Sequence, residues 1–363
     1  MASRRQVLQA LATGTAGMAL LGGGLAATSS RALAAAPARR QVSIGGKRVR
    51  VFDVHGHCVF PDVATLVANT PLATTLDDLV KTPGLVMGPE RLAYLDKEGI
   101  DTQVLSINSW WYGTDEPVAR EIVRIQNEKI AAWCAARPDR FVGLATVALQ
   151  FPELAAAQLT QAVEKQGFRG VSIGGSVQND ELSHPKFDPF WARAEALGVL
   201  VFMHPQPAQG TTINPRLAGK GFLANTIGNP LETTVFLSHL IFDGTLDKFP
   251  GLKICAAHGG GYLASYSGRS DALCDRGPGA DCRALKKRPS EYFKKELFAD
   301  TMVFHDEGLR HLVAETGSSQ ILYGTDFPFD WPVGIDFVLN SPHLSAADKE
   351  AILGGNAARL FRL

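Results

Sequence analysis

Four histidines and one aspartate have the residue types and the spacing that bind a transition metal. His55 and His57 lie two residues apart at the end of an apolar run, and His204, His258 and Asp326 each end a further run. Side chains two residues apart on a strand point to the same side, so both imidazoles of the pair can face one ion. Neutral imidazoles and a carboxylate suit a divalent ion such as zinc, with a water or substrate completing the shell.

Eight short apolar runs supply the elements that must position these side chains, and amphipathic stretches with helical periodicity separate them. The runs span residues 49–54, 102–107, 141–147, 170–173, 199–204, 253–258, 297–302 and 321–325. The amphipathic stretches include residues 89–98, 117–137, 153–166, 189–197 and 307–316. Strands that alternate with helices predict a parallel sheet of class α/β, and eight such units predict a (β/α)8 TIM barrel. An open doubly wound sheet is the alternative, although no GxGxxG follows the first run.

The predicted barrel strengthens the case for a metal site. A single buried histidine is usually a hydrogen-bonded core residue, and an aspartate before Phe-Pro is usually a turn residue. Here all five side chains end strands one, five, six and eight, and barrel enzymes place their active sites at the carboxyl-terminal ends of the strands. Two long stretches, residues 58–89 and 259–294, are predicted as extended loops that enlarge this carboxyl-terminal face or cover it.

Aromatic side chains follow the second and the eighth strand and are candidates for substrate binding. Trp110 and Trp111 come directly after the second run, and Phe327 comes after the eighth. Such rings could form a wall for a flat substrate, or they could pack as a lid on the barrel. Phe329 and Trp331 are further candidates of the same kind.

Residues 1–36 have the layout of an export signal. Arg4 and Arg5 precede an apolar run rich in alanine and glycine, and residues 32–36 supply small side chains at a spacing typical of signal-peptidase cleavage. These features predict a twin-arginine signal peptide, and an uncleaved membrane anchor is the alternative. We therefore expect a single mature domain of residues 37–363 that is periplasmic or secreted and has no stable membrane association.

The overall composition is that of an ordinary globular enzyme, with 363 residues, 45% of them hydrophobic, and a formal net charge of zero. Nothing in it indicates attraction to nucleic acid, so a small-molecule substrate is expected. Cys274 and Cys282 could be bridged in an exported protein, but two free thiols are the favoured interpretation. No CxxC motif occurs, so a thiolate zinc site is not indicated.

The sequence around these residues resembles the amidohydrolase superfamily, and most closely its branch related to aminocarboxymuconate semialdehyde decarboxylase. The resemblance covers nearly the whole chain after the signal. The segments that carry it are DTQVLS at 101–106, RFVGLA at 140–145, GVSIG at 170–174, PLETT at 230–234, FPGLKI at 249–254, HGGG at 258–261 and GTDFP at 324–328.

The resemblance implies roles for the metal-site residues. Four residues would bind one divalent ion, with zinc favoured and manganese the alternative: His55, His57, His204 and Asp326. His258 would take a proton from water on the metal and later protonate the product, and Asp326 could share in that relay. Ser172 and Gly174 stand where binuclear members place a bridging lysine, which favours a mononuclear site.

An arginine after the sixth strand implies a second subunit. Arg269, eleven residues after His258, matches an arginine that in this family reaches the substrate carboxylate from a neighbouring subunit. The resemblance therefore implies a homodimer, and a solvated surface arginine is the alternative. The aminocarboxymuconate enzyme has another substrate-binding arginine early in the chain, but no arginine lies between His57 and Arg91 here. A dicarboxylate substrate is therefore disfavoured.

Two enzymatic functions are consistent with this set of residues. The resemblance favours nonoxidative decarboxylation of an aromatic or unsaturated carboxylic acid. The predicted export and the missing early arginine favour a periplasmic hydrolase of a lactone, ester or amide, or a hydratase. A barrel that binds or carries metal without catalysis is a third hypothesis, and the complete set of five side chains argues against it.

Overall fold

Eight parallel strands form the central sheet of the computed structural model, which describes residues 39–206, 210–276 and 282–363. The strands are β1 Phe52–His57, β2 Thr102–Ser106, β3 Phe141–Ala145, β4 Gly170–Ile173, β5 Leu200–Met203, β6 Lys253–Ala256, β7 Leu297–Asp300 and β8 Ile321–Leu322. Each pairs in parallel with its neighbour in chain order. The predicted signal peptide at residues 1–36 lies outside the described residues.

Backbone hydrogen bonds between the first strand and the segment after the last one close the sheet. The amide of Val54 donates to the carbonyl of Tyr323 at 2.9 Å, and the amide of Phe327 donates to the carbonyl of His55 at 3.1 Å. The amide of His57 in turn donates to the carbonyl of Phe327 at 2.9 Å. The predicted (β/α)8 barrel is therefore confirmed, and its first and last strands meet beside the predicted metal ligands.

Helices follow the strands and surround the barrel. The helices are α1 Ala64–Val67, α2 Leu72–Lys81, α3 Glu90–Glu98, α4 Glu116–Ala136, α5 Pro152–Gln166, α6 Asp188–Leu197, α7 Asn229–Phe242, α8 Thr245–Lys248, α9 Ala257–Gly260, α10 Leu263–Asp275, α11 Pro289–Lys295, α12 Asp306–Thr316, α13 Ile335–Leu339, α14 Ala346–Glu350 and α15 Asn356–Phe361. All five predicted helical stretches occur and begin within one residue of their predicted starts. Gly99, Gly167 and Gly198 end α3, α5 and α6 in the left-handed conformation, where a glycine has no Cβ penalty.

Two layers of apolar side chains make up the core. One cluster combines residues from seven of the eight strands with α15, so it fills the barrel interior; its buried members include Phe52, Val104, Leu144, Phe202 and Leu322. The larger cluster packs the outer side of the strands against the helices. In the described part of the chain, no helix combines the length and apolarity that a membrane crossing requires.

The segments at the carboxyl-terminal face are more helical than the sequence predicted. Residues 58–89 contain α1 and α2, and residues 259–294 contain α10 and α11. A third long segment follows β5 and ends in a π-helix, Ala224–Gly228, directly before α7. These segments surround the mouth of the barrel.

The expectation of free thiols at Cys274 and Cys282 is wrong, because the two cysteines form a disulfide with Cα atoms 5.4 Å apart. Cys274 lies in the last turn of α10, and Cys282 begins a short 3-10 helix. Their Cα separation lies within the range that a disulfide spans. Sequence spacing alone does not predict this separation. Cys58, Cys134 and Cys255 are free.

Candidate metal centre and active site

Five side chains that are distant in the sequence meet at the carboxyl-terminal end of the barrel. The Nε2 atoms of His55 and His57 lie 3.0 Å apart, and they lie 3.1 and 2.9 Å from Oδ1 of Asp326. Nitrogen and oxygen ligands about 2.1 Å from an ion stand about 3.0 to 3.4 Å apart when they occupy adjacent corners of an octahedral or a tetrahedral shell. The spacing of these three atoms therefore matches one face of a coordination shell.

His204 and His258 complete the cluster. Nδ1 of His204 donates to the carbonyl of Pro205 at 2.7 Å, which leaves Nε2 as an acceptor. Neither Nε2 of His204 nor Nδ1 of His258, both buried, has a hydrogen-bond partner among the described residues. Four potential ligand atoms all lie within 4.8 Å of one another, one each from His55, His204, His258 and Asp326. The structure thus brings together all four predicted ligands and His258. The assignment of His57 as the fourth ligand, with His258 beside the ion, stays a prediction.

A bend in the first strand explains why both His55 and His57 reach the centre. Phe52 and Val54 point into the apolar barrel interior, so His55 and His57 would face outward in a regular strand. The register between β1 and β2 shifts between Asp53 and Gly56, as at a β-bulge. A bulge reverses the alternation of side chains and turns the two imidazoles inward.

His57, His204 and Asp326 favour the protonation states that bind a divalent ion. Burial lowers the pKa of His57 and places that of His204 well below the usual range. The pKa of Asp326 is held well below its usual value because the neighbouring His55 and His57 outweigh the effect of burial. Burial would also lower the pKa of His55, but the charge of Asp326 and the hydrogen bond to Asp300 raise it to about 10. The two carboxylates that flank His55 therefore favour positive charge at this point, and the side chains fit a divalent cation.

Asp300 fixes the orientation of His55, and the sequence analysis did not select it. Its Oδ2 accepts a hydrogen bond from Nδ1 of His55 at 2.7 Å, and its Oδ1 accepts from the amides of Gly259 and Met302 at 2.8 and 3.1 Å. This bond leaves Nε2 of His55 directed at the cluster, as in carboxylate–histidine–metal triads. Asp300 ends the seventh strand, so the strand-end argument applied to the histidines would have found it.

We expect the change Asp300→Asn to weaken metal binding by about 10- to 100-fold, because an amide cannot accept all three hydrogen bonds. A competition titration against a chromogenic chelator measures this affinity. The control is Asp271→Asn. Asp271 lies on the outer helix α10 and accepts a hydrogen bond from Ser290, so its replacement should leave the affinity for the metal within about twofold of the wild-type value. Equal affinities for the two variants would show that Asp300 does not support the centre.

The loop after β8 places Asp326 and two aromatic rings at the centre. Asp326 and His258 both adopt left-handed backbone conformations, with φ values of 54° and 60°, which are uncommon for residues other than glycine. Such strain concentrates at functional sites. Nε1 of Trp331 donates to Oδ2 of Asp326 at 2.9 Å, so Oδ1 remains directed at His55 and His57. Trp331 was a candidate for substrate binding, and its hydrogen bond to Asp326 is a role that the sequence did not predict.

A cavity with two arms opens above the cluster, and five of the described residues line both arms: Asn225, Asn229, His258, Asp326 and Trp331. The smaller one, here called the amide arm, has a volume of about 200 Å³ and is bounded further by Asn108, His204, Pro205 and Phe329. The larger one, the apolar arm, has a volume of about 390 Å³ and is bounded further by Thr226, Pro230, Gly261, Tyr262, Met302, Val303 and Phe304. No lysine or arginine of residues 39–206, 210–276 and 282–363 lines either arm.

Two of the predicted substrate-binding aromatics lie outside this cavity. Trp111 is fully buried and donates to the carbonyl of Val147 at 3.1 Å, so it packs in the core instead of facing a substrate. Phe327 lies under the guanidinium of Arg91, 4.4 Å from its ring, and contacts Tyr94. The structure therefore does not bring the side chains of Trp111 and Phe327 together with the other candidate substrate-binding residues in this cavity.

The other predicted substrate-binding residues differ in whether they line the cavity. Trp110 is buried beside a small pocket that also contacts His57 and Phe329, next to the amide arm. Phe329 and Trp331 line the cavity as predicted candidates. Arg269 lies exposed on α10 and lines neither arm of its own chain.

Two of the proteins to which this chain is similar in sequence are named as decarboxylases. The 2-amino-3-carboxymuconate-6-semialdehyde decarboxylase of Dictyostelium discoideum is 30% identical over 75% of this chain and 76% of that protein. The gamma-resorcylate decarboxylase of Rhodococcus jostii is 31% identical over 75% of this chain and 87% of that protein.

Solved structures share the same barrel. The 5-carboxyvanillate decarboxylase from Sphingomonas paucimobilis superposes with a TM-score of 0.79 at 26% identity, covering 87% of this chain and 99% of that one. A dihydroxybenzoic acid decarboxylase from Polaromonas sp., with bound manganese and the inhibitor 2-nitroresorcinol, superposes with a TM-score of 0.75 at 27% identity, covering 87% and 97%.

The family described as Amidohydrolase matches residues 52–363, which include every strand of the barrel and all five side chains of the cluster. The relatives named above cover three quarters of the chain at 30% identity or more. The chain therefore belongs to the amidohydrolase family, in the branch of aminocarboxymuconate semialdehyde decarboxylase.

Proposed function

We propose that the protein is a metal-dependent enzyme that removes the carboxyl group of an aromatic carboxylic acid as CO₂ without oxidation. The observation that carries the proposal is the cluster of His55, His57, His204, His258 and Asp326 below a cavity of aromatic dimensions. The decarboxylases named above share the barrel and the family. An unsaturated acid that is not aromatic would fit the same chemistry.

One divalent ion would be held by Asp326 and by three of the four histidines. When bound, such an ion supplies a Lewis acid that polarises substrate oxygens and lowers the pKa of water. The nitrogen-rich set of ligands favours zinc. Manganese is the alternative, because a structural relative binds it. Elemental analysis of the purified protein, followed by chelation and reloading with each ion, decides between them.

His258 is the proposed acid–base residue. Burial lowers its pKa, so the imidazole is neutral and can accept a proton. Its Nε2 lies 3.9 Å from Oδ2 of Asp326, beyond hydrogen-bonding distance, and its Nδ1 has no partner among the described residues, so neither nitrogen is committed to the fold. His258 would first take a proton from a water molecule in the site and would then, as an imidazolium, deliver that proton to the ring carbon that bears the carboxylate. The bond to the carboxylate then breaks, CO₂ leaves, and the electron pair of that bond restores the aromatic ring.

The test is a panel of hydroxybenzoates and muconate-like acids incubated with the metal-loaded protein. We expect CO₂ and the corresponding phenol or alkene in equal amounts, and loss of both products after chelation. A parallel panel of lactones, esters and amides tests the hydrolase alternative. Hydrolysis without CO₂ release from any acid would reject the proposal.

The change Trp331→Phe should lower kcat by about 10- to 100-fold with little change in KM, because it removes a hydrogen bond to a charged carboxylate but keeps a flat ring. Oδ2 of Asp326 would then be free to rotate toward His258. Trp133→Phe, in an α4 tryptophan that stacks on Arg137 at the outer side of the barrel, is the matched control. An unchanged kcat in Trp331→Phe would mean that its indole does not position Asp326.

A homodimer is proposed because Arg269 matches an arginine that in this family reaches the substrate from a neighbouring subunit. The cavity lacks a cationic side chain of its own chain in the described residues, and Arg269 is exposed on α10, from where it could enter the cavity of a second copy. Mixing a His258→Ala chain with an Arg269→Ala chain tests this arrangement. If the arginine acts across an interface, the mixture regains activity that neither variant has alone; a monomeric active protein would reject it.

Export to an oxidising compartment is also proposed, from the predicted signal at residues 1–36 and supported by the disulfide of Cys274 and Cys282. The chain has five cysteines in all. We expect protein isolated from the periplasm to show the three free thiols of Cys58, Cys134 and Cys255 when it is denatured without reductant. A count of five thiols, or a protein that stays in the cytoplasm with residues 1–36 still attached, would contradict the export proposal.

A further inference from the structure

We infer that the apolar arm is a subsite for a hydrocarbon substituent on the ring of the substrate, so that the preferred substrates are alkyl-substituted aromatic acids. The inference deepens the proposed function and rests on it for the position of the reacting carboxylate. It is carried by the size of the two arms, by the chemistry of their linings and by the residues at which they meet.

The cavity is larger than an unsubstituted aromatic acid needs. An apolar cavity of about 150 Å³ holds benzene, so the amide arm, at about 200 Å³, already has room for the ring. The apolar arm adds about 390 Å³, within the range of pockets that bind larger organic molecules. With a plain hydroxybenzoate in the amide arm, this larger space would contain no part of the substrate.

The lining of the apolar arm selects hydrocarbon over polar groups. Met302, Val303, Phe304 and Pro230 present aliphatic and aromatic surface to it. The polar side chains that this arm adds are Thr226 and Tyr262, whose hydroxyls already lie 3.3 and 3.4 Å from the carbonyls of Gly221 and Ile227. Apart from the shared His258 and Asp326, the lining residues named among the described residues carry no charge, and the shared amides of Asn225 and Asn229 are further polar groups. A second carboxylate would therefore lose its hydration without gaining a cationic partner.

The amide arm is more polar and suits the hydroxylated part of the ring, because Asn108 lines this arm and not the apolar one. Asn108, Asn225 and Asn229 border it, and Oδ1 of Asn108 is buried without a hydrogen-bond partner among the described residues. A phenolic hydroxyl is a donor that would satisfy this acceptor. Because the arms meet at His258 and Asp326, one ring can place its hydroxyl at the amides, its carboxylate at the centre and an alkyl group in the apolar arm.

The first experiment compares kcat/KM for a hydroxybenzoate with its methyl, propyl and pentyl derivatives, the alkyl group being placed at each free ring position in turn. Burial of one methylene is worth about 0.8 kcal/mol, or about a fourfold gain. At the favoured position we expect kcat/KM to rise by about threefold to fourfold per carbon until the arm is filled. A flat or falling series at every position, with CO₂ still released, would overturn the inference and leave the proposed function standing.

The second experiment obstructs the arm. Thr226 and Ile227 are neighbouring exposed residues of the π-helix, and Thr226 lines the apolar arm whereas Ile227 does not. The readout is the ratio of kcat/KM for the best alkyl substrate to that for the parent acid, which is independent of the fraction of active protein. Thr226→Trp should reduce the ratio at least tenfold, and Ile227→Trp should preserve it. An unchanged ratio in Thr226→Trp would place the substituent elsewhere and overturn the inference.

A binding measurement separates failure of this inference from failure of the proposed function. Calorimetry compares the affinity of the metal-loaded protein for a phenol and for its pentyl derivative, neither of which can be decarboxylated. Tighter binding of the pentyl compound, lost in Thr226→Trp, would support the subsite even if no acid released CO₂. Equal binding of both compounds would reject the subsite whatever the outcome of the activity assays.

Discussion

Replacing His204 by alanine is expected to abolish metal binding and turnover together. His204 lies on the strand opposite the His55–His57 pair, and its Nε2 is buried and directed at the cluster without a partner among the described residues. Loss of this ligand should weaken metal binding by more than the ~10- to 100-fold that removal of an outer-shell partner costs. Activity should fall in proportion, because the remaining residues cannot polarise the substrate.

Metal content and turnover are measured on the same preparation of His204→Ala. His343→Ala, which removes an exposed imidazole paired with Asp306, is the control and should keep both. Circular dichroism establishes that each variant is folded. If His204→Ala loses turnover at full metal occupancy, the ligand role of His204 is rejected. If it loses the metal but keeps its rate of turnover, the requirement for a metal is rejected.

The barrel and the convergence of the cluster were predictable from the sequence because both depend on repeating local patterns. Apolar runs of strand length alternate with amphipathic helices, and the ends of parallel strands necessarily share one face. His55, His204, His258 and Asp326 could therefore be assigned to one site without any knowledge of loop paths. The bulge in β1 was not predictable, although it is what turns both His55 and His57 inward.

Features that depend on side-chain rotamers and loop paths escaped the sequence. Trp110 and Trp111 are adjacent and chemically identical, yet one borders the site and the other donates to Val147 in the core. Phe327 and Trp331 differ in the same way, because the chain reverses between them. The disulfide of Cys274 and Cys282 depends on the distance between two cysteines that are eight residues apart, and sequence spacing does not determine that distance. Asp300 is a different case, since its position at a strand end was visible and its partner His55 was known.

The role of His258 is the point on which the structure admits two interpretations, and one variant separates them. As acid–base residue, His258→Ala should retain the metal and lose about 10²- to 10⁴-fold in kcat. As ligand, it should lose metal and activity in parallel, as His204→Ala does. We expect the first result because the spacing of His55, His57 and Asp326 already forms one face of a shell, which His204 can extend without His258.

The measurement for His258→Ala is metal occupancy beside kcat, with His239→Ala as the control. His239 is an exposed imidazole of α7 that pairs with Asp243, and its loss should change neither quantity. Hydrogen–deuterium exchange gives an independent readout. During turnover in deuterated water, the wild-type enzyme should place one deuterium at the former carboxyl position of the product. When the isolated phenol is the only compound added, the wild-type enzyme should exchange the hydrogen at that position, and His258→Ala should lose this exchange if His258 delivers the proton. Loss of metal in this variant would move His258 into the coordination shell and leave His57 as the residue available to carry the proton.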